Sequence, residues 1–139
     1  MSVKSLNTHE IENFKINIMS VQPSQLYINE KKLEKVSFDY HTKDNMKRQA
    51  LPVKKLNDKI ILTDGHTRAV LYYLEGHKEL TVYWDDPWGS KNLTKSSYEK
   101  AVQWCVDEKV LTIKDLSQRI ISNRQYEILW LKRCANLES

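Results

Sequence analysis

The sequence is short of the residues that most narrow a protein's chemistry: 139 residues include only two cysteines, three glycines and three prolines. Cys105 and Cys134 each lie in an apolar helical pattern with no histidine at ligand spacing. That excludes an ordinary four-ligand zinc site and predicts buried structural thiols. No apolar run approaches the roughly 18 residues that a membrane-spanning helix needs. Residues 1–9 are polar and lack the apolar core of a signal peptide. The expectation is a cytoplasmic protein with no membrane partner.

Concentrated charge of one sign is also missing. The net charge is +4, but the basic groups are spread along the chain: residues 1–60 carry 11 basic and 7 acidic groups, residues 61–90 carry 2 and 5, and residues 91–139 carry 9 and 6. A duplex-DNA binder more often gathers Lys and Arg on one element, so the balance gives DNA binding little support.

What is present is a globular composition, 40% hydrophobic and 29% charged, in a chain long enough for one ordinary core or a small domain with a helical appendage. Phe14, Ile16 and Ile18 alternate with polar neighbours and predict a half-buried strand ending before Pro23. Asn29 is placed to cap a short helix with Leu33 and Val36 on one face. Residues 39–50 have no period and read as a mobile loop. Residues 51–56 and 59–63 predict two strands joined at Asn57-Asp58, with Pro52 at a strand start or edge because it cannot donate to a ladder.

Next come Asp64-Gly65, the nearly all-apolar run 69–74 of a buried helix, Gly76 as its C-cap, and a strand over 80–84. The turn-rich segment 85–90 ends an α+β unit, placed at residues 12–89. Residues 90–139 read as a three-helix appendage packed on it, with start signals at Ser96/Glu99, Thr112/Asp115 and Ser122/Gln125. Trp84 and Trp88 flank Asp85-Asp86. Anchoring of the appendage and stacking on a base are both open to them, and anchoring is the preferred reading. His41, in the polar loop, reads as solvated.

The turn Asp64-Gly65-His66-Thr67-Arg68 carries the most chemistry. A glycine between strand and helix lets the backbone approach an anion, with the first helical N–H groups and the positive end of the dipole aimed at it. Thr67 adds a hydroxyl and Arg68 a planar guanidinium suited to phosphate oxygens. Asp64 fits beside a phosphate if a divalent cation bridges them, or if it acts as a base or N-cap. The plain alternative is a helix start with Asp64 as cap and Arg68 on the surface.

The order strand, Pro23-Ser24, short helix, Leu51-Pro52-Val53 strand, then the 64–68 turn and its helix resembles the ParB/sulfiredoxin-like superfamily. The likeness covers roughly residues 14–84, and its most specific part is the turn, at the family's Gly-x-x-Arg position. Sulfiredoxins need a cysteine there, and His66 and Thr67 stand in its place, which excludes their chemistry. The closest motif is that of the ParB-like free-serine kinases, whose Asp-Gly-His-x-Arg turn accompanies a glutamate on the first short helix. Glu30 stands at about that place.

The resemblance implies Glu30 and Asp64 as catalytic groups and Gly65, His66, Thr67 and Arg68 as nucleotide-phosphate ligands. It further implies Asp64 as a Mg²⁺ ligand and ATP or ADP as cofactor. The expected function is a small-molecule phosphotransferase acting on a small hydroxyl-bearing substrate. For Glu30, a favourable first-turn acid on an exposed helix is the competing reading. The alternative function is a DNA-binding partition or regulatory module, for which residues 112–126 offer a faint helix-turn-helix pattern lacking the turn glycine. A nuclease ranks below both, since no carboxylate cluster joins Asp64.

Overall fold

The computed structural model describes residues 12–43, 49–85, 88 and 95–137. Alternation in β1 (Asn13–Asn17) leaves Phe14 and Ile16 half-buried and their neighbours exposed, before a single 3-10 turn over Ile18–Ser20. After the two-residue β2 (Ile28–Asn29), the Asn29 side chain accepts a hydrogen bond from Lys31 N–H and starts α1 (Glu30–Thr42). The helix is longer than the sequence pattern suggests, because Tyr40 is drawn into the core. Its hydroxyl bonds His77 Nε2 at 2.9 Å, and its ring packs 6.0 Å from Tyr72. His41 consequently lies on α1, paired with Glu75 at 3.2 Å, and not in a loop. Residues 44–48 of the expected loop lie outside the described residues.

β3 (Leu51–Leu56) and β4 (Lys59–Leu62) form a hairpin whose turn residue Asn57 has φ +56. α2 (His66–Leu74) and β5 (Glu79–Trp84) follow. The four main strands are ordered β1-β5-β3-β4. β3 runs parallel to β5, and the outer pairs, β1–β5 and β3–β4, are antiparallel. Pro52 sits near the start of β3, ahead of the pairing with β4, which begins at Val53. The fold is α+β: a mixed sheet, short helices and a helical C-terminal part.

That C-terminal part contains α3 (Lys95–Asp107), α4 (Ile113–Leu116), β6 (Ile120–Ile121) and α5 (Asn123–Tyr126). The last of these continues through a π-helical stretch over Glu127–Leu131 into α6 (Lys132–Cys134). Thr112 with Asp115 and Ser122 with Gln125 form complete capping boxes, while Ser96 lies inside α3 and does not cap it. β6 pairs in parallel with β2, so α4 and α5 are separated by a strand and do not form a helix-turn-helix.

Buried residues of both parts share one core cluster. Val70, Leu80 and Val82 belong to it together with Cys105, Ile113, Leu116 and Trp130. Each fully buried side chain of this size contributes roughly 1.5–3 kcal/mol, so neither part holds its full core without the other.

Candidate functional site at the start of α2

β4 delivers the chain to a left-handed turn that strongly favours glycine. Gly65 has φ +78, and a Cβ there would stand 2.8 Å from Leu51 Cδ2 and 3.4 Å from Arg68 Nη2. The Asp64 carboxylate turns back to accept the Gly65 N–H at 2.8 Å. Asp64 is therefore not the cap of α2: the N-cap residue is Gly65, and no side chain caps the helix. The first helical bond runs from Ala69 N–H to Gly65 C=O at 2.9 Å. The N–H groups of His66, Thr67 and Arg68 thus precede the helical ladder, at the positive end of the helix dipole.

Arg68 folds back over the turn, as its closeness to the Gly65 position requires, and donates to the side-chain oxygen of Gln49. That partner is neutral, and among the described residues no carboxylate pairs with Arg68. A guanidinium fork beside three open backbone donors is suited to a phosphate group.

The His66 side chain is turned into the core. It is 5% exposed, and its Nε2 accepts the backbone N–H of Ser24 at 3.0 Å, so its contribution to an anion is confined to its own backbone N–H. Burial pushes its pKa down to about 4, against an upward pull from Asp64 and with a smaller downward push from Lys32. Ser24 is held in turn by its hydroxyl, which donates to Leu62 C=O at 2.7 Å. It reaches this place because the chain around Gln22 runs along the free edge of β4, with Gln22 N–H bonded to Ile60 C=O and Leu62 N–H to Gln22 C=O. Thr67 is also 5% exposed.

The surroundings include groups that the sequence alone did not single out. Burial raises the pKa of Tyr83, with Asp85 and then Asp64 adding to the rise. For Tyr98 of α3, burial acts first, then Asp64 and Asp85. The same two carboxylates therefore face phenols from β5 and from the C-terminal part, and the Tyr98 hydroxyl donates to Thr63 C=O at 3.4 Å. Tyr98 also stacks against Trp88, 5.5 Å between ring centres, and Lys54 lies over the other ring system at 4.8 Å. Trp88 thereby ties α3 to the sheet. Trp84 packs on Phe14 at 5.3 Å. Ser24 and His66 further line a cavity of about 120 Å³ whose walls include Tyr98 and Trp130.

Among the described residues, Glu30 makes no hydrogen bond or ion pair with the 64–68 turn. It is exposed at the first position of α1 and lines a separate groove with Leu71, Leu74 and Glu75, from the far end of α2, and with no residue of the 64–68 turn. The first-turn side chain whose charge reaches His66 is Lys32, two positions and about 200° further round the helix.

Among the described residues no group of three or more His, Cys, Asp or Glu side chains is arranged to hold a metal ion. Mg²⁺ bound largely through nucleotide phosphates needs only one or two carboxylates, and the exposed Asp64 meets that lesser demand. Cys105 and Cys134 stand apart from the turn, their thiols pushed by burial to about 12 and about 11.

No protein-family model and no curated protein matches this sequence. Among solved structures, the crystal structure of protein Atu1540 from Agrobacterium tumefaciens is similar in fold, with a TM-score of 0.52 at 16% identity. The likeness covers 77% of this chain and 62% of that one, and it speaks to the fold alone. Among the described residues no helix is long and apolar enough to cross a membrane.

Proposed function

We propose that this chain binds a phosphorylated ligand, with a nucleotide as its expected form, at the 64–68 turn. The observation that carries the reading is Arg68, folded over Gly65 and bonded to a neutral partner, at the open N-terminus of α2. Gly65 supplies close approach, the N–H groups of residues 66–68 supply donors, and Asp64 would share a Mg²⁺ with the phosphates. Hydrogen bonds to charged groups are worth about 1.5–3 kcal/mol each, so loss of the guanidinium should weaken binding by at least about tenfold.

Transfer of a phosphoryl group to a small hydroxyl-bearing substrate is the proposed extension of this reading. Such transfer needs mainly positioning and charge neutralisation, for which Arg68 and a Mg²⁺ on Asp64 are suited. A general base must lie within hydrogen-bond reach of the proton it takes. With Glu30 lining the groove at the other end of α2, the catalytic role assigned to it by the family likeness has no geometric support, and the proposal rests on phosphate binding. The test is calorimetric titration of adenine, guanine and cytidine nucleotides, each with and without Mg²⁺, against wild type and Arg68→Ala. Binding lost in the variant supports the site, and equal binding by both proteins rejects it.

A further inference from the structure

Exposed large apolar side chains cluster on a few elements of the fold. Five of the eight large hydrophobic side chains exposed among the described residues fall in two adjoining patches. The first is a groove of about 620 Å³ between α1 and α2, lined by Leu33, Phe38, Leu71, Leu74 and Ile120. Phe38 and Leu74 are 66% and 52% exposed. Its charged lining is entirely acidic: Glu30, Glu34 and Glu75, of which, among the described residues, Glu75 alone has an ion-pair partner, His41.

The second patch is a ridge on the last helix, where Ile128, Leu129 and Leu131 are each between 42% and 50% exposed. Exposed Arg124 and Lys132 bracket it, with Glu127 as the single acid between them. The groove and the start of the last helix are tied together in the fold. Ile120 of the groove lies on β6 directly before this helix, and Asn29, just ahead of Glu30, donates to Asn123 at 2.7 Å.

We propose that the groove receives the 124–132 ridge of a second copy of this chain, giving a two-fold dimer with two identical groove-and-ridge contacts. An acid-lined apolar groove and a base-flanked apolar ridge are complementary, and their adjacency lets one rotation axis satisfy both at once. Contiguous exposed apolar surface of this kind marks an association site. The contact accounts for Glu30 as an acid of the groove, and it is independent of phosphate binding.

Sedimentation equilibrium of the full chain across micromolar concentrations tests this directly. The expected result is a monomer–dimer equilibrium that weakens with salt, with Phe38→Asp and Leu131→Asp each raising the dissociation constant at least about tenfold. Circular dichroism of both exposed-site variants confirms that they are folded. Mixing the two variants is the discriminating step: each variant alone breaks both contacts, whereas the mixed pair keeps one intact groove and one intact ridge, and should recover dimer. A monomer at all concentrations overturns the proposal. So does a dimer indifferent to both substitutions, or one that mixing fails to rescue, and an acid-lined groove without self-association would point instead to a basic segment of another protein.

Discussion

His66 Nε2 accepts the backbone N–H of Ser24 at 3.0 Å, joining the turn of α2 to a segment 42 residues earlier in the chain. An imidazole that accepts through Nε2 carries its proton on Nδ1, and protonating Nε2 would break this bond inside the core.

Stability should therefore depend on the charge state of His66. Its folded pKa, about 4, lies below the ordinary 6.5. The unfolded chain binds the extra proton first, so the stability present above pH 6.5 is lost as pH falls toward 4 and changes little below that. The span corresponds to about 3 kcal/mol. His66→Gln keeps an acceptor for Ser24 but does not titrate. Denaturant unfolding across this range should show the advantage of wild type over His66→Gln shrinking by about that amount as the pH drops, whereas a constant difference would show that the histidine titrates in the folded protein as it does in the unfolded chain.

Gly65→Ala should damage the fold and the site together. The left-handed backbone costs a residue with a Cβ about 1–2 kcal/mol, and the new methyl would collide with Leu51 and press on the Arg68 guanidinium. Gly76, with φ +92 and nothing within 4 Å of a Cβ, provides the comparison: Gly76→Ala carries strain without collision. Urea unfolding should rank Gly65→Ala as the more destabilised, and only Gly65→Ala should also lose nucleotide affinity.

Trp130→Ala should lower the stability of the whole molecule in one transition. The indole is 6% exposed in the shared core and meets Trp104 edge-on at 5.9 Å, and such truncations cost about 3–5 kcal/mol. Far-ultraviolet dichroism and tryptophan fluorescence should melt together. Separate transitions, with the sheet surviving the helices, would show that the two parts fold independently.

Much of this architecture is legible where one local signal suffices. The Asn57-Asp58 turn, the buried run of α2, the alternation in β1 and the strand at β5 reflect neighbours in sequence. The boundaries that escaped are tertiary. α1 runs to Thr42 because Tyr40 finds Tyr72 and His77, and nothing in residues 39–42 announces that. β2 and β6 hold only two residues each, and the pairing of Ile28 with Ile120 spans the two parts of the chain. Within the site, Gly65 and Arg68 are visible from residue type and spacing. That His66 points inward depends on Ser24, and that Glu30 lines the groove with Leu71 and Leu74 depends on how α1 lies against α2. A helix start written in sequence does not specify either.

The most direct measurement is a titration of Mg²⁺-nucleotide into the 139-residue chain, followed by the amide resonances of residues 65–68. Binding at the turn predicts saturable shifts in the N–H signals of His66, Thr67 and Arg68, abolished by Arg68→Ala while the remaining spectrum is preserved. Saturable binding that leaves these amides unmoved, or that survives Arg68→Ala unchanged, would contradict a phosphate site at the start of α2.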